Sequence, residues 1–326
     1  MLIVIPTGGL GNRLMAMMSA KLFAEHIGCG FQVSWNAEPW LPYSNCPITG
    51  LFEGFESVPM PDINAPGISY VEHHIPGPRP ELEERLKAGE TIYMRSYCFI
   101  RPQGMAEPDF MAHIHREFGQ LKPLPELIAR VPQLPAGTIG VQIRGRDNWR
   151  ATRYSPLSLF FKVMDRHCHE DAGATFYVSS DSPRVRRLVR KRYGSRIHRD
   201  LDQEEWDEPG ALTRRGLVKL LALSRTSRIY HSVLTSFSFI SHLISRMPFI
   251  CVGLKKRPAG FYDSAADKLH DQLLEWDVAR MRWRKIDLAG APMSRRLMAE
   301  WMLCRARFAC SKAFQLWPLH QLGPLD

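Results

Sequence analysis

The chemistry-bearing residues of this chain fall in four short segments, each preceded by an apolar run and followed by a helix-compatible one. Near the start, Met1-Leu-Ile-Val-Ile5 leads into Thr7-Gly8-Gly9-Leu10-Gly11-Asn12-Arg13, three glycines followed by an amide and a cation. Further on stand Gln142-Ile143-Arg144-Gly145-Arg146-Asp147, then Ser179-Ser180-Asp181-Ser182-Pro183, then Thr235-Ser236-Phe237-Ser238-Phe239. A turn without side chains lets backbone N–H groups approach an anion. An arginine offers a planar fork of donors that matches phosphate, and serines at a helix start add hydroxyls to its free N–H groups. The set suits a nucleoside diphosphate, with Arg144 on phosphate, Ser236 and Ser238 assisting, and Asp181 accepting from a ribose or a base.

Each residue also has a plain structural use. The glycines can simply let a helix pack close to its strand. Arg144 can pair with Asp147, Asp181 can cap the helix ahead of Pro183, and the two serines can cap theirs. The first loop is neither a P-loop nor a dinucleotide fingerprint, since it lacks Gly-Lys-Ser/Thr and its spacing is not G-x-G-x-x-G. Repetition favours the ligand: three of the motifs end successive strands of what reads as one sheet.

The elements that must position them follow from alternation of apolar runs and turns. Strands are expected at 2–5, 30–35 and 91–98, a helix from about 14 to 27, and loops over 36–49 and 75–90. Four prolines between Gln120 and Gly137 mark a crossing between domains. Beyond it, strands at 138–144, 174–180, 196–198, 229–234 and 249–252 alternate with helices at 156–169, 183–193, 211–224 and 237–245, the pattern of a doubly wound parallel sheet. Ligands of such sheets sit beyond the strand C-terminal ends. After about residue 255 the chain turns rich in Trp, Met and Arg and reads as two amphipathic helices, 267–286 and 294–317. The division is therefore 1–130, an α/β domain; 131–255, a Rossmann-like domain; and 256–326, a helical tail that packs on the domains or lies on an anionic membrane surface.

Composition narrows the class. The 326 residues are 45% hydrophobic and 10% aromatic, a globular rather than disordered balance. A net charge of +10 points to an acidic partner. The seven cysteines are scattered, with no C-x-x-C pair, which argues against a disulfide framework or a structural zinc and for a reducing cytoplasm. No basic leader and no membrane-length apolar run is evident.

GGLGNR, QIRGRD, FYVSSDSP and LTSFSF together resemble the superfamily of α1,2-, α1,6- and peptide-O-fucosyltransferases, which carries G-x-x-G-N-[QR], H-x-R-x-x-D, a strand ending in Ser/Thr-Asp, and a Ser-Thr/Ser-Phe-Ser turn. The likeness spans roughly residues 1–253. It implies a GT-B-like fold, two Rossmann-type domains facing across a cleft, with GDP-fucose held mainly by the second and the acceptor entering at the first. It also implies an inverting, metal-independent transfer to a glycan or lipid-linked oligosaccharide, with no nucleic acid involved, in the cytoplasm or peripherally at the inner membrane surface. Position by position, it implies that Arg144, Arg13 and Asn12 are catalytic, and that Gly9, Gly11, Gln142, Asp147, Asp181, Ser236, Phe237 and Ser238 hold the donor. One residue departs: Gln142 stands where the family has histidine, and it hydrogen-bonds but cannot become cationic. A different sugar nucleotide therefore remains an alternative, as does a non-enzymatic basic module binding nucleic acid or a membrane surface. No catalytic base is legible; Glu38, Glu53, Asp62 and Glu72 are the carboxylates in reach of an acceptor. His113 and His115, His167 and His169, the acidic run 202–208 and the basic run 184–192 read as structural or solvated groups.

Overall fold

The computed structural model describes residues 1–35, 46–74, 77–146, 149–198, 210–233 and 235–254, together with two further strands at Asp271–Asp277 and Arg282–Ile286. The first run, β1 (Leu2–Pro6), is buried along its whole length, which a strand of unbroken apolar residues requires. It lies inside a four-stranded parallel sheet of order β2-β1-β4-β3, with β2 at Phe31–Val33, β3 at Ser69–His73 and β4 at Ile92–Ser96. Helix α1 (Leu10–Ile27) follows β1 directly. Leu14, Met17, Met18, Leu22 and Phe23 bury different sides of it, because it is covered by the sheet on one side and by other helices on the other.

The second sheet has the order β10-β9-β8-β7-β5-β6, with β9 at Asp271–Asp277 and β10 at Arg282–Ile286. Its parallel part comprises β5 (Ile139–Ile143), β6 (Phe176–Ser180), β7 (Arg228–Ser232) and β8 (Phe249–Leu254). The intervening helices include α5 (Trp149–Tyr154), α6 (Leu157–Glu170), α7 (Pro183–Tyr193), α8 (Ala211–Ser224) and α9 (Phe237–Ser245). The last two reach back to the first half. Residues such as Leu217, Leu220, Ile240 and Leu243 join Leu14, Met17 and Phe23 in one hydrophobic cluster, so the two sheets share a core. Ile139, Val141, Phe160, Met164 and Phe176 form a second cluster under the opposite face of the second sheet.

Helices 211–224 and 237–245 stand where the sequence puts them, and 183–193 coincides with α7. Five expectations change. Helix α1 starts at Leu10 rather than at about 14, so Gly11, Asn12 and Arg13 stand in the helix and not in a loop. The loop 75–90 contains α2 (Pro80–Lys87), and the proline-rich crossing 120–137 contains α4 (Pro125–Ala129), since proline is tolerated in the first turn of a helix. Before α4 stands α3 (Glu107–Gly119). The strand expected at 196–198 is a single bridge from Ile197 to Phe176 behind a 3-10 turn. The helix expected at 267–286 is instead an antiparallel pair, β9 (Asp271–Asp277) and β10 (Arg282–Ile286), with β9 hydrogen-bonded to β8. The helix expected at 294–317, most of the loop 36–49 and the acidic run 202–208 lie outside the described residues. Among the described residues no helix is long and apolar enough to cross a membrane.

Candidate functional site

Strand order decides which motifs meet. β5 lies between β7 and β6, so Arg144 at its C-terminal end is flanked on one side by Asp181 and on the other by the turn after β7. The chain leaves β5 towards β6 and returns on the other side as β7, which makes the β5/β7 gap a topological switch point, the place where such sheets open a crevice.

Asp181 does not cap its helix. Ser182 does, its Oγ accepting from the Val185 N–H at 3.4 Å. Asp181 turns to β5 instead: its Oδ1 accepts from the Gly145 N–H at 2.6 Å, and its Oδ2 lies 3.6 Å from the Arg144 Nε. Gly145 has to be a glycine, since a Cβ there would lie 2.5 Å from the Ser182 Cβ. The Arg144 N–H donates to the Ser232 Oγ at 2.9 Å, and Ser155 Oγ accepts from the Val233 N–H at 2.8 Å. Sequence reading missed both serines; Ser232 at least ends a strand, whereas Ser155 carries no local signal. The basic run 184–192 forms α7, with Arg184, Arg187 and Lys191 exposed and Arg186 donating to the Ser180 carbonyl at 2.6 Å.

The N-terminal turn of α1 joins this group by contact. A Cβ on Gly11 would lie 2.8–2.9 Å from the backbone of Ser236 and Phe237. The N-termini of α1 and α9 are thus brought together, each with no acidic residue in its first turn and no side-chain cap from Gly9 or Ser236. Each helix start carries roughly half a positive charge, so their approach favours an anion between them. Ser238, fully buried, and Thr235 each have a hydroxyl without a hydrogen-bond partner among the described residues. An unsatisfied buried hydroxyl costs about 1–3 kcal/mol, a deficit that a bound polar group would remove.

The remaining expected residues divide. Asn12 lies over the turn, its Nδ2 3.2 Å from where a Cβ on Gly8 would stand, and Gly8 itself has a φ of +78°. Arg13 is fully buried: its Nε donates to the Gly8 carbonyl at 3.0 Å, its Nη1 to the Trp35 carbonyl at 3.1 Å, and its guanidinium lies 5.3 Å from the centre of the Trp35 ring. These contacts brace the glycine loop from below. Gln142 is buried on the Arg144 face of β5, in register between Ser179 and His231, and its Oε1 has no hydrogen-bond partner among the described residues. His231 stacks on Phe249 with ring centres 3.7 Å apart, and burial pushes its pKa down to about 3, so it is neutral at physiological pH. Asp147 and Glu38 lie outside the described residues. Glu53 and Asp62 are exposed, and hydrogen bonds from His74 and Tyr70 hold the exposed Glu72 below the usual carboxylate range. His115 and His167 are tied to the Leu243 carbonyl and the Tyr230 hydroxyl, and among the described residues no cluster of His, Cys, Asp or Glu is placed to hold a metal.

No family model and no curated protein sequence matches the chain. Solved structures do. NodZ, an α-1,6-fucosyltransferase soaked with GDP-fucose, is 17% identical and superimposes with a TM-score of 0.50, covering 83% of this chain and 98% of that one. FUT1 of Arabidopsis thaliana in complex with GDP is 12% identical over 83% of this chain and 73% of that one, TM-score 0.49. POFUT1 in complex with GDP-fucose is 10% identical over 76% and 94%, TM-score 0.48.

Proposed function

The chain has the α/β fold with parallel sheets seen in a fucosyltransferase, and we propose that it is a glycosyltransferase that moves fucose from GDP-fucose to a hydroxyl of a glycan, with inversion and without a metal. In this reading the arrangement is GT-B-like, residues 1–130 facing the acceptor and 131–255 the nucleotide. The observation that carries it is the contact of Gly11 with Ser236 and Phe237, which sets the glycine loop against the strand ends bearing Arg144 and Asp181.

The chemistry follows from the leaving group. As the acceptor hydroxyl attacks the anomeric carbon, negative charge grows on the β-phosphate, and donors already aimed there stabilise the transition state more than the ground state. Arg144, oriented by Asp181 and held through its backbone by Ser232, is the cation for that charge. The free N–H groups at the start of α9, with the Ser236 and Ser238 hydroxyls, and those at Gly9 and Gly11 supply the rest. Phe237 packs against the nucleotide. Asn12 reaches the donor sugar, while Arg13 acts by holding the loop that presents it. Asp147, three residues after Arg144 in the chain, is assigned to the donor by the resemblance alone. Gln142, beneath Arg144, offers a neutral amide where a histidine would offer a titratable ring, which suits the donor's ribose or base.

Calorimetry with GDP tests the reading. The native chain should bind GDP with one-to-one stoichiometry, and Arg144→Ala should keep its circular dichroism spectrum yet lose GDP binding and on the order of 10²–10³ in transfer rate. Undiminished GDP affinity in that variant overturns the assignment.

A further inference from the structure

The first sheet has a switch point of its own. From β1 the chain moves to β2 on one side and later to β3 and β4 on the other, so a crevice opens between the C-terminal ends of β1 and β4. At that place β1 runs into the glycine loop and β4 into Tyr97, the two ends tied by the Thr7 N–H donating to the Ser96 carbonyl at 2.8 Å. Tyr97 is 40% exposed and is the one aromatic among the exposed large hydrophobic side chains of the described residues. Its ring stacks on His74 with centres 5.2 Å apart and planes 19° from parallel.

The stack heads a strip that runs back along the sheet. On β3 and β4, Glu72 is in register with Arg95 and Tyr70 with Tyr93, while the alternate residues Ile92 and Met94 enter the core on the other face. The Tyr70 hydroxyl donates to Glu72 Oε1 at 3.1 Å, the Arg95 Nη1 lies 3.6 Å from the same carboxylate, and His74 bonds its other oxygen. The strip therefore offers flat rings, a fixed carboxylate and a guanidinium, with one acid balancing one base in a chain of net charge +10. That combination selects against polyanions and for a neutral molecule with both apolar C–H faces and vicinal hydroxyls.

We propose that this strip, Tyr70 to His74 with Tyr93 to Tyr97, binds an uncharged oligosaccharide, the acceptor of the transfer, with its reacting end towards Gly8 and Gly9. The inference rests on the glycosyltransferase reading and names its acceptor class. From Tyr70 to His74 the strand rises about 13 Å, enough for more than one sugar ring.

The test uses the full chain and immobilised hexasaccharides of glucose, mannose, xylose, galactose and N-acetylglucosamine, with a sulfated hexasaccharide as the anionic probe. At least one uncharged probe should bind in preference to the sulfated one. Tyr97→Ala, a change at an exposed position, should weaken that binding at least tenfold, Tyr97→Phe should retain it, and GDP affinity should be the same in all three proteins. Binding of no uncharged probe, preference for the sulfated one, or full binding by Tyr97→Ala overturns the acceptor strip. Failure of the native chain to bind GDP overturns the donor reading, a separate outcome.

Discussion

A methyl group on Gly11 would meet the carbonyl carbon of Ser236 at 2.8 Å and the nitrogen of Phe237 at 2.9 Å, and neither atom can swing aside as a side chain does. Gly9, two residues earlier, has nothing within 4 Å and an ordinary φ of −68°. Gly11→Ala should therefore destabilise the protein by about 1–3 kcal/mol, the usual range for forced overpacking, and loosen GDP binding as the two helix starts part. Gly9→Ala should leave the melting temperature unchanged. Thermal melts of both variants, with a GDP titration of the first, check this; equal melting temperatures would contradict it. Three glycines and their anion-binding potential were legible in the sequence, but which glycine is irreplaceable depends on a contact with residue 236 that no local pattern encodes. Arg13 shows the same limit. The resemblance implies a catalytic cation at this position, while its burial, with Nε and Nη1 on the Gly8 and Trp35 carbonyls, is not written in spacing.

Elements were legible where an apolar run is bounded by clear turn residues. α8 and α9 bury consecutive residues on all sides, Leu220 to Leu223 and Ile240 to Leu243, and the sequence boundaries coincide with the structure. The stretch 267–286 was misread because tertiary demand overrides a helical pattern: β8 would otherwise present an unpaired row of N–H and C=O groups, and β9 occupies that row, with β10 beyond it. A chain ending after Leu254 should consequently expose the β8 edge and self-associate, whereas one ending at Gly290 should remain dispersed. Light scattering at equal concentration distinguishes the two, and equal dispersion would mean that β8 needs no cover. α2 escaped detection for a different reason. The stretch 75–90 reads as a loop, yet Pro80 opens a helix there, because the first turn of a helix has no use for the N–H that proline lacks.

At the scale of the molecule, the layer where the two sheets share helices is built around neutral histidines. His115 on α3 and His242 on α9 lie edge to face with centres 5.2 Å apart, and His242 stacks on Phe249, which also carries His231. Burial is the main cause that lowers all three, to about 3 for His231 and about 4 for His242. The unfolded chain binds protons at these sites below about pH 6.5 while the folded chain refuses them, so stability is complete above that pH and falls as pH drops towards 4. At pH 5 the loss is about 2 kcal/mol for each of His231 and His242, since both stay neutral when folded. Exposed carboxylates add to it only lower down, where Glu72, Glu81 and Glu170, held below the usual range by hydrogen bonds, begin to protonate. The melting temperature should therefore fall between pH 7 and pH 5, and replacing His231 by a residue that cannot titrate, His231→Gln, should flatten that fall even if it lowers stability at neutral pH. A melting temperature constant from pH 7 to 5 would show that the buried rings reach solvent without unfolding. Because His242 lies on α9, the helix that follows the Ser236 turn, and His115 bonds to the Leu243 carbonyl of the same helix, GDP should bind more weakly as this layer loosens, and added GDP should move the acid transition to lower pH.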